Sequence, residues 1–116
     1  MQTRERTPRF IALDLSLEAI RVLRPVVAGI RRSDRDLEDQ LRRALTSISL
    51  NLAEGNSSHG RNRIARFSTA AGSCSEARAA LRVAVAWDYV RASDVEAGER
   101  MLDRLAGMLH GLGAER

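Results

Sequence analysis

Arginines are the residues of this chain best suited to chemistry with a charged partner. All 19 basic residues are arginine, and the net charge is +4. Residues 55–87 hold five arginines and one glutamate, whereas residues 88–116 have a net charge of −2. A local arginine excess is typical of a phosphate-binding surface, because the guanidinium stays charged and offers a fork of donors. The alternative is a solvated helix face whose arginines pair with acidic segments of the same chain.

Five arginines flank one predicted connection between helices and are our candidates for phosphate contacts. They are Arg42, Arg43, Arg61, Arg63 and Arg66. Backbone amides at the start of the helix after residue 60 would add to an anion site there. Nucleic-acid binding through such contacts would be largely independent of sequence, because the chain offers no aromatic platform for base stacking.

Asn51, Glu54 and Gly55 precede the same connection and need partners of their own. A buried amide at Asn51 requires hydrogen bonds, and the helix dipole disfavours a carboxylate at Glu54 near a helix C-terminus. An arginine would compensate that carboxylate, and the candidates are Arg61, Arg63 and, from a neighbouring subunit, Arg43. We interpret the group as a local cap and ion pair that fixes the turn. A ligand-binding role is the alternative.

The other reactive residue types form no catalytic or metal-binding pattern. Residues 55–60 have the glycine spacing of a phosphate loop, but the lysine and the Ser/Thr hydroxyl are missing and a helix precedes the loop. His59 and His110 have no ligand partner at metal-binding spacing. Cys74 lies on an apolar helix face and is expected to be a small core residue. We therefore predict no enzyme, no metal and no cofactor.

Length and composition favour one globular domain. The chain has 116 residues, 44% hydrophobic and 29% charged, which is an ordinary globular mix. A single cysteine excludes a disulfide within one chain. No apolar run approaches the roughly 20 residues of a membrane span, and no secretory signal follows the N-terminal arginines. We therefore expect a cytoplasmic protein without a membrane partner.

We predict an all-α fold, an antiparallel up-down-up-down four-helix bundle over residues 13–113, with an N-terminal tail over residues 1–12. The chain has two prolines and 3% aromatic residues, and strand-like alternation is absent. Alanine, leucine and arginine are plentiful and favour helix. Short connections between four amphipathic helices make an antiparallel order the economical arrangement.

The first two predicted helices have apolar stripes at steps of three and four. The first runs from about Asp14 to Ile30, and we expect Pro25 to kink it or shift its register within the preceding turn. The second begins after Ser33, a good N-cap, and stops at Gly55. The stripes are Leu13, Leu17, Ile20, Leu23, Val27 and Ile30 in the first helix, and Leu37, Leu41, Ala44, Leu45, Ile48 and Leu52 in the second.

The third and fourth helices repeat this pattern. The third follows the loop at residues 55–60 and ends near Trp87, and the fourth begins at a capping box from Ser93 to Glu96. The stripes are Ile64, Phe67, Ala71, Cys74, Arg78, Leu81 and Val85 in the third helix, and Val95, Gly98, Leu102, Leu105, Leu109 and Leu112 in the fourth.

Several apolar residues fall outside these stripes and favour self-association. They are Leu50, Val83, Trp87, Met101 and Met108. Single exposed apolar residues are normal, but several on adjacent helices are typical of a subunit interface.

Three segments give the chain a family resemblance. Residues 40–55 read QLRRALTSISLNLAEG, residues 86–90 read AWDYV, and between them stand Phe67, Ala70, Gly72, Ser73 and Glu76. Over residues 13–112 the chain resembles the four-helix bundle proteins encoded in intervening sequences of bacterial 23S ribosomal RNA genes, and the accessory proteins of diversity-generating retroelements are similar. Ser49 replaces a common proline of the family, and Asp88 replaces a glycine.

The resemblance implies a bundle that assembles into a homopentamer. It also implies a basic surface that binds nucleic acid in the retroelement members, together with a reverse transcriptase as protein partner. It supplies no catalytic residues. We therefore expect an oligomeric, non-catalytic protein that binds RNA or DNA. The alternative is a scaffold or adaptor for another protein, without direct contact to nucleic acid.

Overall fold

The computed structural model describes residues 7–114, and all of its regular secondary structure is helical. The helices are α1 (Pro8–Arg31), α2 (Arg35–Asn56), α3 (Gly60–Ala86) and α4 (Ala92–Ala114). Each helix packs against its neighbours in the chain, and α1 also packs against α4, so the four surround one apolar core. The predicted all-helical fold of four helices is confirmed. Across residues 7–114, no helix has a stretch that is both long and apolar enough to cross a membrane.

The predicted apolar stripes of α2 and α4 are the ones that the core buries. Leu41 and Leu52 of α2 and Leu102 and Leu105 of α4 are fully buried. The same side of α3 is built mostly from small residues, which let its neighbours approach closely. The buried residues of α3 are Phe67, Ala70, Cys74, Ala77, Ala80, Leu81 and Ala84.

Helix α1 begins earlier than the sequence predicted. Pro8 occupies its first position, where a missing N–H costs nothing, and Thr7 precedes it in an extended conformation. The helix therefore includes residues 8–12 of the predicted tail, and Ala12 is fully buried. Residues 1–6 of that tail lie outside the described part of the chain.

The buried face of α1 is displaced by one residue from the predicted stripe. The core takes Ala12, Ser16, Ala19, Leu23, Val26 and Ile30. Leu13, Ile20 and Val27 are half-buried at the edge, and Leu17 is 38% exposed. The spacing of the buried residues continues without interruption past Pro25, so a shift of register there was wrong. Pro25 lies on the exposed face, where water can satisfy the carbonyl that loses its helical partner.

The starts of α2 and α4 are both capped through an aspartate, and both begin at residues other than the predicted ones. Asp34, not Ser33, caps α2, because its Oδ1 accepts the N–H of Leu37 at 2.9 Å. Ser33 instead belongs to the end of α1, where its N–H donates to the Ile30 carbonyl. At α4, Asp94 Oδ2 accepts the N–H of Arg91 at 3.0 Å. The acidic half of the predicted capping box is thus Asp94 rather than Glu96.

Asp88 and Ser49, the two departures from the family pattern, each make defined contacts in the structure. Asp88 has φ of 60° after α3, the left-handed conformation that glycine adopts without cost. The Tyr89 N–H donates to the Ala84 carbonyl at 2.9 Å, as in a Schellman C-cap. Ser49 is buried in α2 and its hydroxyl lies 2.8 Å from that of Ser16 in α1. This pair satisfies two polar groups inside the bundle.

Candidate nucleic-acid interface

Three of the five candidate arginines line one shallow depression, which we call the α2–α3 groove. Arg42 and Arg43 come from α2, and Arg66 comes from α3. Leu50 and Asn51 form the part of the groove between them. Steps of three and four residues along α2 place its members on one helix face. The groove combines an apolar residue, an amide and three guanidinium groups.

The two arginines of α2 form ion pairs with carboxylates one turn earlier. Arg42 lies 3.0 Å from Glu38 and 2.8 Å from Asp39, and Arg43 lies 3.0 Å from Asp39. The side chain of Arg42 is 60% exposed and that of Arg43 is 78% exposed. The exposed Arg43–Asp39 pair contributes about 0.3–0.5 kcal/mol, so Arg43 can exchange its carboxylate for a phosphate at small cost. Arg42 is held more firmly, because its partner Glu38 is buried.

Glu54 pairs with Arg66 and not with the residues that the sequence suggested. The guanidinium Nε of Arg66 lies 3.0 Å from Glu54 Oε2, which joins the end of α2 to α3. The predicted partners were Arg61, Arg63 and a neighbour's Arg43. Arg66 lies on the side of α3 that faces α2, so it reaches the carboxylate first. The hydroxyl of Ser58 also donates to the Glu54 carbonyl at 2.7 Å. A local cap and ion pair thus fixes the turn, as predicted.

Gly55 and Asn51 have packing and hydrogen-bonding roles at this turn. Helix α2 continues through Gly55 to Asn56, so the predicted stop at Gly55 was one residue early. A Cβ atom on Gly55 would lie 2.5 Å from a ring carbon of Phe67 in α3, so only glycine permits this close approach. The amide of Asn51 donates to the carbonyl of Ser47 at 2.9 Å. Together with the Glu54–Arg66 ion pair, these contacts give Asn51, Glu54 and Gly55 each a structural role.

Arg61 and Arg63 lie apart from the α2–α3 groove, at the start of α3. Arg63 is half-buried, and its Nε donates to the Gly55 carbonyl at 3.1 Å, which caps the end of α2. Arg61 is exposed and forms no ion pair with any residue in the range 7–114. The five predicted arginines therefore form two groups and not one cluster.

The second group lies beside the start of α1 and defines what we call the α1–α3 end. Arg9 of α1 and Arg63 of α3 line one depression there. Neither helix has an acidic residue in its first turn, and neither has a side-chain N-cap hydrogen bond. Two positive helix-dipole ends therefore share this end with Arg9, Arg61 and Arg63. Sequence analysis missed Arg9 because it placed residues 1–12 in a tail, although Thr7-Pro8 is a helix-start signal.

The charge at the α1–α3 end contrasts with the start of α2. There Asp34 caps the helix, and Asp36 and Glu38 stand in its first turn. Carboxylates at a helix N-terminus are the usual way to compensate the dipole. The first turns of α1 and α3 lack such carboxylates, so the positive charge at the α1–α3 end comes from Arg9, Arg61 and Arg63, beside the C-terminal ends of α2 and α4.

Three of the five apolar residues predicted to lie off the core are exposed. Leu50 is 59% exposed, Val83 42% and Trp87 67%. Trp87 stacks on Tyr89 with ring centroids 6.3 Å apart. Met101 and Met108, predicted to lie off the core, instead pack partly buried against it.

The remaining reactive side chains have structural surroundings. Cys74 is buried and its Sγ lies 3.3 Å from the Leu102 carbonyl oxygen, to which it donates. Burial raises the pKa of the Cys74 thiol above its ordinary value, which disfavours the reactive thiolate. His59 and His110 are both exposed. Between residues 7 and 114, histidine, cysteine and acidic side chains form no group able to hold a metal ion.

Comparisons with known proteins agree with the helical fold. A crystal structure of a protein of unknown function from Bacteroides thetaiotaomicron, described as a member of the S23 ribosomal protein family, aligns with a TM-score of 0.79. The alignment covers 90% of this chain and 99% of that one, at 19% sequence identity, so it shows a shared fold. No curated protein matches this chain.

The family model for the 23S rRNA-intervening sequence protein matches residues 12–111, which is most of the chain. That range includes α2, α3, the turn at Gly55 and the five predicted arginines, but not Arg9. The chain therefore belongs to the 23S rRNA-intervening sequence protein family.

Proposed function

We propose that this protein binds nucleic acid, RNA or DNA, through its arginines and with little sequence specificity. The observation that carries the proposal is the α1–α3 end, where Arg9, Arg61 and Arg63 surround two helix N-termini without acidic first turns. Phosphate groups are the anions that arginine forks and helix N-termini bind best. The α2–α3 groove would supply further contacts through Arg42, Arg43 and Arg66.

Contacts of this kind position a phosphate backbone without reading its bases. Exposed aromatic rings are few among residues 7–114. Phe10 is 36% exposed at the α1–α3 end, where the Arg9 guanidinium lies over its ring at 5.2 Å, and Trp87 lies after α3, away from that end. Binding would therefore depend on charge and on salt more than on base sequence.

Self-association is the second part of the proposal. Exposed Leu50 and Trp87 are the surfaces that would be covered between copies. The family resemblance implies a homopentamer, and five copies at +4 each would carry +20. Such a ring would attract polyanions over a longer range than one copy.

The antiparallel up-down-up-down order of the helices belongs to the same proposal. It is supported by contacts between opposite helix ends. The Asn56 amide at the end of α2 donates to the Arg9 carbonyl at the start of α1, and Asp34 N–H at the start of α2 donates to the Ile30 carbonyl near the end of α1.

A scaffold or adaptor for another protein, such as a reverse transcriptase, is the second candidate function. The ion pairs of Arg42, Arg43 and Arg66 favour it, because three of the five candidate arginines already have carboxylate partners. In that case the arginines serve assembly or protein docking.

Charge reversal at the start of α3 separates the two functions. The variants are Arg61→Glu, which alters an unpaired exposed residue, and Arg61→Glu/Arg63→Glu. Arg100→Glu on the exposed side of α4 is the control with the same charge change as Arg61→Glu. Binding of a labelled single-stranded RNA is followed by fluorescence anisotropy, and assembly by light scattering.

We expect Arg61→Glu to weaken RNA binding by about tenfold, with the double variant weaker still and the oligomer mass unchanged. Arg100→Glu should change RNA binding by less than about threefold. Equal losses in the Arg61→Glu and Arg100→Glu variants would contradict a site at the α1–α3 end. Loss of assembly in folded Arg61→Glu protein would favour the adaptor function.

A further inference from the structure

Helix α1 presents a second apolar stripe beside the one that the core buries. Leu13, Leu17, Ile20 and Val27 each follow a core residue by one position and recur at helical steps. The core instead buries smaller side chains at Ala12, Ser16 and Ala19. A helix that leaves its larger apolar residues at the edge of the core has an apolar surface available to something else.

Ile20 and Val27 of this stripe form part of one wall of a groove between α1 and α2, which we call the α1–α2 groove. Ile20, Val27 and Ala28 of α1 and Leu45 of α2 make it apolar. It extends along α1 from Ile20 to Arg31, or about 16 Å of helix. That length accommodates about three turns of a second helix.

Arginines surround the apolar part of the α1–α2 groove. Arg24 and Arg31 come from α1, and Arg42 comes from α2. Glu38 is the acidic residue of the groove; it is 8% exposed and lies 3.0 Å from Arg42 and 3.9 Å from Arg31. Arg24 forms no ion pair with residues 7–114. The rim therefore keeps a net positive charge after its internal pairing.

We propose that the α1–α2 groove binds an amphipathic helix of another protein, with apolar residues at steps of three and four and carboxylates on its flanks. Apolar side chains of a partner would gain free energy by burial against the apolar wall, and a nucleic-acid backbone has no such side chains. The arginine rim selects acidic flanks by charge complementarity. The same rim opposes an isologous contact, in which this face meets the same face of a second copy; a heterologous contact is tested below by the oligomer mass of Ala28→Glu. The proposal does not depend on nucleic-acid binding at the α1–α3 end.

The test uses a labelled helix-forming peptide of about 14 residues, with leucines at the required steps and glutamates beside them. Two control peptides have the same leucines with lysine flanks, or the same composition in scrambled order. Binding is measured by fluorescence anisotropy with the full-length protein. The variants are Arg24→Glu in the rim and, as a charge-matched control on the exposed side of α4, Arg104→Glu.

We expect the acidic peptide to bind, and the lysine-flanked and scrambled peptides to bind at least about tenfold more weakly. Arg24→Glu should raise the Kd for the acidic peptide at least about tenfold, and Arg104→Glu should change it less than about twofold. Ala28→Glu, at an exposed position inside the groove, should also abolish binding.

Four results would overturn the proposal. The acidic and lysine-flanked peptides could bind equally, or binding could survive Arg24→Glu. A change of oligomer mass in the folded Ala28→Glu variant would show that a second copy covers the groove. Displacement of the peptide by RNA with the same sensitivity to Arg24→Glu would identify a phosphate site instead.

Discussion

The hydroxyl of Tyr89 donates to Asp34 Oδ2 at 3.1 Å, while Oδ1 of the same carboxylate caps α2. One side chain therefore joins the turn between α1 and α2 to the turn between α3 and α4. This contact links the two turns directly, and it depends on the N-cap being Asp34 and not Ser33.

Asp34→Ala should lower the free energy of unfolding by about 2 kcal/mol, because it removes an N-cap and a hydrogen-bond acceptor together. Ser33→Ala is the control and should cost less than about 0.5 kcal/mol, since it removes no cap. Urea denaturation followed by Trp87 fluorescence measures both, because Trp87 is the sole tryptophan. An equal loss of unfolding free energy in Asp34→Ala and Ser33→Ala would show that both side chains cap α2.

The Tyr89–Asp34 contact should also be visible in an alkaline titration. Desolvation, followed by the hydrogen bond and charge of Asp34, raises the pKa of Tyr89 above 10.0. Because Tyr89 is the sole tyrosine, ultraviolet absorbance of tyrosinate reports this group directly. We expect a midpoint above 10.0 in the folded protein and a lower one in Asp34→Asn, which keeps an N-cap without the charge.

The corresponding effect on stability has a definite sign. A phenol whose pKa is raised by folding stabilises the fold fully below pH 10, and this contribution is lost as the pH rises through the raised pKa. The stability of the natural protein should therefore fall more steeply above pH 10 than that of Tyr89→Phe. Parallel curves for the two proteins would contradict the contact.

Gly55→Ala should destabilise the fold by about 1–3 kcal/mol, because the added Cβ would meet the Phe67 ring and force α2 and α3 apart. Gly72→Ala is the matched control in α3, where nothing lies within 4 Å of the new Cβ. It should stabilise the fold by about 0.5–1 kcal/mol through better helix propensity. Chemical denaturation of both variants checks the prediction. A stabilising Gly55→Ala would show that the helices do not approach this closely.

Asp88→Gly should stabilise the fold by about 1 kcal/mol, because residue 88 adopts a left-handed φ of 60° at the C-cap of α3. Asp88→Ala removes the same carboxylate but keeps the Cβ penalty, so it should give no gain. The midpoint of thermal unfolding compares the two. A similar gain in both variants would attribute the effect to charge and not to backbone conformation.

The sequence was most informative where large apolar residues form a single stripe. In α2 and α4 the leucines, except Leu50, lie on one helical face, and the core buries that face. Helix α1 carries two stripes one residue apart. The stripe with the larger side chains was the one predicted from the sequence to face the core. The structure buries Ala12, Ser16 and Ala19 because small residues permit close packing, which depends on the neighbouring helices and cannot be read from α1 alone.

At the candidate interface, too, one part could be predicted from the sequence and another depended on how the helices pack. The cap and ion pair at the turn after α2 could be predicted, because a carboxylate near a helix C-terminus needs a cation. The partner could not, because Arg61, Arg63 and Arg66 stand at similar distances along the chain from Glu54. Only the rotation of α3 against α2 places Arg66 on Glu54 and turns Arg63 to the Gly55 carbonyl.

The salt dependence of nucleic-acid binding tests the central claim most directly. If Arg9, Arg61 and Arg63 each neutralise a phosphate, log Kd for single-stranded RNA should rise with log salt at a slope of about 2 per protomer. Affinity would then fall about 40-fold between about 50 and about 300 mM monovalent salt, for RNA of any base sequence. Unchanged affinity for RNA and for duplex DNA over that range would contradict binding through these arginines.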